Sequence, residues 1–128
     1  MYNQTVLKHF AHPRHVGTLP DPDGYALVAS DVHQDQVELF LRIVEGRIAD
    51  LRYRVHGCVA AIASSSAAAE LALGRTLEEA EALTAQDIVE ALGGLPESKV
   101  RCSVLFPQAL HKAIADHRRR ASKDKREL

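Results

Sequence analysis

The stretch "VHGCVAAIASSSAAAELALG", residues 55–74, decides how the chain is read. It passes from a β-branched residue through Gly57-Cys58 into a run of Ala and Ser, so the local character changes from strand to helix within four residues. Ala60 to Leu73 is rich in the best helix former and stops at Gly74, a residue suited to the position just past a helix end. The spacing therefore predicts a strand-to-helix corner with Cys58 at the corner. A thiol placed there faces the positive end of the helix dipole, which favours thiolate, the form that binds metal or attacks sulfur. The alternative is a small buried apolar side chain at a tight turn, with Gly57 serving the backbone.

Upstream of this corner, Val37, Leu39, Leu41 and Ile43 alternate with other residues, and after Glu45-Gly46-Arg47 so do Ala49, Leu51, Tyr53 and Val55. Period two on both sides of a Gly turn predicts an antiparallel hairpin. A weaker strand is expected from Tyr25 to Val32, and a short helix from Asn3 to Phe10, separated by the turn-rich "HPRHVG" and "LPDPDG". Downstream, Thr76 with Glu79 and Thr84 with Asp87 have capping-box spacing and predict two short helices, the second ending before Gly93-Gly94. A last helix is expected from about Pro107 to about Arg120. Strands first and helices after predict an α+β fold, a small three-stranded antiparallel sheet with helices packed on one face.

The length of 128 residues suits one domain over 1–128, with a basic C-terminal tail at about 118–128 read as a helix end. Acidic residues number 17 and basic residues 16, a balance that makes no general case for nucleic acid or a membrane surface as partner. No apolar run approaches the roughly 20 residues of a membrane span and no leader pattern is evident, so a cytoplasmic protein is expected. Two cysteines 44 positions apart do not make a secreted disulfide framework. In a reducing compartment they would be free thiols or metal ligands.

Three further residues join Cys58 as candidates. His33 and Asp35 are two apart in extended chain ahead of the hairpin, so their side chains can leave on one face. Cys102 follows a Pro-containing loop near the start of the last helical segment. One imidazole, one carboxylate and two thiolates would suit a tetrahedral ion such as zinc, or iron at the edge of a cluster, although no C-x-x-C spacing is present. His56, two before Cys58, reads as a solvated strand-end residue, and His9, His12, His15, His111 and His117 follow no ligand spacing.

The segments "VHGCVAAIASSS", "GRTLEEAEAL" and "LPESKVRCSVLFPQALHKAIADH" together resemble the U-type iron-sulfur cluster assembly scaffolds, the IscU and NifU N-terminal-domain family. "HPRHVG" is similar to that family's N-P-R-N-V-G, and "VASDVHQDQVELFLRI" falls where the family has Cys-Gly-Asp followed by a strand. The resemblance implies a scaffold and carrier with no turnover of its own. It would accept sulfur from a cysteine desulfurase and pass a labile cluster, [2Fe-2S] by the family pattern, to acceptor proteins. It also implies roles: Cys58 and Cys102 as cluster ligands, Cys102 as the sulfur acceptor, and Asp35 as the weak oxygen ligand that keeps the cluster labile.

The chain departs from the family pattern where His33 and Gln34 replace the first cysteine and its glycine, and where Arg101 stands directly before Cys102. His33, Asp35, Cys58 and Cys102 would then form a mixed site for a cluster or for zinc. The permanent charge of Arg101 would favour a Cys102 thiolate. Glu97 and Ser98 replace an apolar pair in the loop that an Hsp70-type chaperone binds in the family, which argues against such handling. Two other readings remain open. One is a zinc-bound persulfide acceptor and desulfurase activator of SufU type, although the 44-residue spacing leaves no room for that branch's extra segment. The other is a degenerate member that only binds the desulfurase.

Overall fold

The computed structural model describes residues 2–30 and 34–127. Helix α1, Gln4–Ala11, begins where expected because the Asn3 side chain accepts from the Val6 N–H at 2.8 Å. The same side chain donates to the carbonyls of Leu92 and Gly94, which ties the start of the chain to its middle.

Strands β1 (Gly24–Ala29), β2 (Gln36–Val44) and β3 (Arg47–His56) form the antiparallel sheet β1-β2-β3. Glu45 and Gly46 both have positive φ, 52° and 75°, which gives the β2–β3 hairpin a two-residue turn with both central residues left-handed, matched to the strand twist. The expected alternation in β3 is broken once. Asp50 pairs with Arg42 but Ile48 pairs with Ile43, so Ala49 is an extra residue in a bulge. Ile48 is buried in the place expected of Ala49, which is exposed.

Ala26, Val28, Val37, Leu39, Leu41, Leu51 and Tyr53 face the helices and are buried. The opposite face carries exposed Leu27, and there the Tyr25 hydroxyl donates to Glu38 at 2.6 Å while Arg54 donates to the same carboxylate. The helices thus cover one face, as the α+β reading expects.

Helix α2, Val59–Ala72, is buried on nearly every side, between the sheet, α1 and the later helices. Small side chains let its neighbours approach closely, and its serines are satisfied: Ser64 and Ser65 donate to the Ala61 carbonyl, and Ser66 accepts from the Arg14 N–H. Both capping boxes form, at Thr76 with Glu79 for α3 (Leu77–Glu81) and at Thr84 with Asp87 for α4 (Ala85–Ala91).

The last helix, α5, runs Leu105–Glu127, longer than expected at both ends. It continues directly from a 3-10 stretch, Glu97–Val104, and Pro107 falls in its first turn, where a missing N–H costs nothing. Asp116 accepts from Arg119 and pairs with Arg120, which supports the helix into the basic tail, and it also accepts from the Tyr25 N–H of β1. Gly24 allows this packing, since a Cβ there would lie 2.4 Å from the Ala113 carbonyl oxygen of α5. Among the described residues no helix is long and apolar enough to cross a membrane.

Candidate metal centre

Three segments distant in sequence meet at the end of the sheet near the start of α2. Asp35 lies just before β2, where the loop from β1 closes through Gln34 N–H to the Ser30 carbonyl at 3.0 Å and Ser30 N–H to the Asp35 carbonyl at 2.8 Å. Gln34 makes that closure with φ of 57°, a left-handed conformation. Asp35 is buried. Its carboxylate occupies the space that a side chain at Gly57 would need, for a Cβ there would stand 2.6 Å from Asp35 Oδ1. Gly57 therefore makes room for a carboxylate, a purpose different from the backbone role expected of it.

Cys58 is the N-cap of α2 and its side chain makes no capping hydrogen bond, which leaves the sulfur free to face the site. Cys102, on the 3-10 stretch, is buried and brings its Sγ to 3.6 Å from that of Cys58. The carboxylate of Asp35 and the two sulfurs all lie within 4.8 Å of one another. They open to solvent through a cleft of about 260 Å³ lined also by Ser98, Lys99 and Arg101. A second opening of about 160 Å³ meets Cys102 beside Ser30, Arg101 and Gln108, without Cys58.

Burial pushes the Cys102 thiol up to about 11, and the neighbouring Cys58 and Asp35 add to the rise. Lys99 opposes it. The charge expected to act on Cys102 was that of Arg101, but this side chain is exposed and the cation that works against the shift is Lys99. A positive charge brought close to Cys102 acts in the same direction as Lys99 and favours its thiolate.

Of the four candidate ligands, the structure brings Asp35, Cys58 and Cys102 together; His33 lies outside the described residues. His56 is exposed and lines a different cleft, with Leu27, Gln36 and Glu38. His9 is half-buried with its Nδ1 at 2.7 Å from Ser66 Oγ, and His111 meets the Glu81 carbonyl. Lys99 belongs to the loop that resembles the family's chaperone-binding segment, and nothing in its spacing marks it as a neighbour of Cys102. For Gly57 the signal was its place directly before the cysteine.

The fold matches solved structures of one class. A NifU-like protein (N-terminal) from Brucella abortus aligns with a TM-score of 0.76 at 21% identity, over 91% of this chain and 94% of that one. A putative iron-sulfur cluster assembly scaffold protein for the SUF system from Fervidobacterium islandicum aligns with a TM-score of 0.73 at 19% identity, over 88% and 96%. In sequence, the iron-sulfur cluster assembly scaffold protein IscU 1 of Archaeoglobus fulgidus is 43% identical over 123 residues, 96% of this chain and 80% of its own. The IscU scaffold of Escherichia coli K12 is 38% identical, over 91% and 94%. Residues 1–124 match the family model described as NifU-like N terminal domain, and the chain belongs to that family.

Proposed function

We propose that this chain is a scaffold that takes up sulfur and iron, holds a labile iron-sulfur cluster as cargo, and hands it to acceptor proteins. The observation that carries this reading is the convergence of one carboxylate and two sulfurs, drawn from three separate segments, within 4.8 Å. Family membership supports it, because the relatives are named as cluster assembly scaffolds. In this reading Cys58 and Cys102 are the sulfur ligands, Asp35 is the hard and weakly held oxygen ligand, and His33 takes the place of the missing cysteine. Cys102 receives persulfide sulfur from a cysteine desulfurase. The chain acts as a carrier, with no turnover of its own, in the reducing cytoplasm that keeps its thiols free.

A second reading is favoured by one distance. Two thiolates on a single tetrahedral zinc ion, each at about 2.3 Å, stand about 3.8 Å apart, close to the 3.6 Å between the sulfurs here. The same four residues would then hold zinc while Cys102 passes persulfide onward.

Protein purified without oxygen, analysed for iron, zinc and acid-labile sulfide beside His33→Ala, tests both. Iron and sulfide in equal amounts, lost in the variant, are the expected result. Zinc alone moves the assignment to sulfur transfer. Absence of metal from both proteins refutes both readings and leaves a desulfurase binder.

A further inference from the structure

Cys58 and Cys102 are the two cysteines of the chain, both are free thiols, and their sulfurs are in contact at 3.6 Å. A disulfide bond of about 2.05 Å would need them to close by only about 1.5 Å. Each sits where this movement is easy. Cys58 flanks α2 from outside and makes no capping bond, and Cys102 belongs to a 3-10 stretch, whose hydrogen bonds are poorer than those of an α-helix. No third cysteine competes for either. Cys58 is half-buried and lines the cleft on one side of Cys102, while the second opening touches Cys102 but not Cys58. A group displaced from the Cys102 sulfur by attack from Cys58 therefore has open space to leave through.

We propose that Cys58 is the resolving thiol of Cys102: it attacks Sγ of a Cys102 persulfide, so that the outer sulfur leaves as sulfide and the two cysteines close into a disulfide. The persulfide rests on the function proposed above; the dithiol–disulfide couple does not. The step balances. The Cys102 persulfide and the Cys58 thiol give one Cys58–Cys102 disulfide and one hydrogen sulfide; the S–S bond of the persulfide breaks as the new one forms, and the Cys58 proton departs with the sulfide. The outer sulfur gains the two electrons that the cysteine pair loses. A dithiol reductant then reopens the disulfide and restores the site. The chain thereby converts delivered sulfur to the sulfide a cluster needs, with its own thiols as the immediate electron source.

The test loads metal-free protein with persulfide from a cysteine desulfurase, removes the donor, and follows free sulfide and the mass of the chain, in wild type and Cys58→Ser. Wild type should release one sulfide per chain and lose both thiols to an internal disulfide, while Cys58→Ser keeps its persulfide until a dithiol is added. Equal release from both proteins, or a stable persulfide in both, overturns the proposal. If no persulfide forms on Cys102, the function reading fails in that respect, and equilibration of the native protein with oxidised glutathione decides the couple. Closure to the internal disulfide sustains it; two free thiols or persistent mixed disulfides refute it.

Discussion

A Cβ at position 57 would stand 2.6 Å from Oδ1 and 2.8 Å from Cγ of Asp35. Asp35 is short and buried, so it cannot swing clear without leaving the two sulfurs. Gly57→Ala should therefore lower zinc affinity by about tenfold or more and destabilise the metal-free fold by about 1–3 kcal/mol, since the added methyl overpacks a buried site. Competition against a chromogenic chelator, beside urea unfolding of the metal-free protein, reads both quantities; unchanged affinity would show that the carboxylate is not a ligand. Next to it in the site, Gln34 holds φ of 57°, which costs a residue with a Cβ about 1–2 kcal/mol and glycine little. Replacement by glycine forfeits part of that gain through the freer unfolded chain. Gln34→Gly should accordingly raise stability by about 0.5–1 kcal/mol, seen as a higher urea midpoint at constant slope. A lower midpoint would mean that the Gln34 side chain contributes more than its backbone strain removes.

Among the elements, the contact between β1 and α5 has the least slack. Gly24 brings the strand so near the helix that an added Cβ would lie 2.4 Å from the Ala113 carbonyl oxygen, which is backbone and cannot rotate away. Gly24→Ala should push strand and helix apart and destabilise the fold by about 1–3 kcal/mol, measured by chemical unfolding. A midpoint within error of the wild type would show that α5 shifts freely. The short helices depend on their ends instead. α3 and α4 have five and seven residues, too few to persist without tertiary packing and the reciprocal hydrogen bonds of Thr76 with Glu79 and Thr84 with Asp87. Those boxes were legible because they are local in sequence. The bulge at Ala49 was not, because it follows from how β2 and β3 pair, and a period of two continues on paper through a residue that the sheet leaves out.

At the scale of the whole molecule, two buried groups link stability to alkaline pH. Burial pushes Tyr53 up to about 12 from an ordinary 10.0, and Cys102 up to about 11 from 9.0. Folded chains hold these protons more tightly than unfolded ones, so the contribution is complete below about pH 9 and is lost as pH rises through about 11 for Cys102 and about 12 for Tyr53. The Tyr53 hydroxyl finds no hydrogen-bond partner among the described residues, with Ser66 beside it already engaged by His9 and the Arg14 amide. Tyr53→Phe should leave stability at about pH 7 equal or higher and flatten the loss above about pH 10, by an amount on the order of 2 kcal/mol at full ionisation. A pH series of urea unfolding checks this, and an unaltered alkaline limb would place the loss elsewhere. The hairpin, the Ala-Ser helix, both capped helices and the strand-to-helix corner at Cys58 were legible in the sequence, since each follows from neighbours within a few positions. The family resemblance groups Asp35, Cys58 and Cys102 with His33, but the packing of the chain sets the distances among the first three, makes Lys99 rather than Arg101 oppose the rise at Cys102, and has Gly57 make room for a carboxylate. These depend on distances between segments up to 67 positions apart, Asp35 to Cys102, and such distances are set by how α2, β2 and the 3-10 stretch pack, which no local pattern encodes.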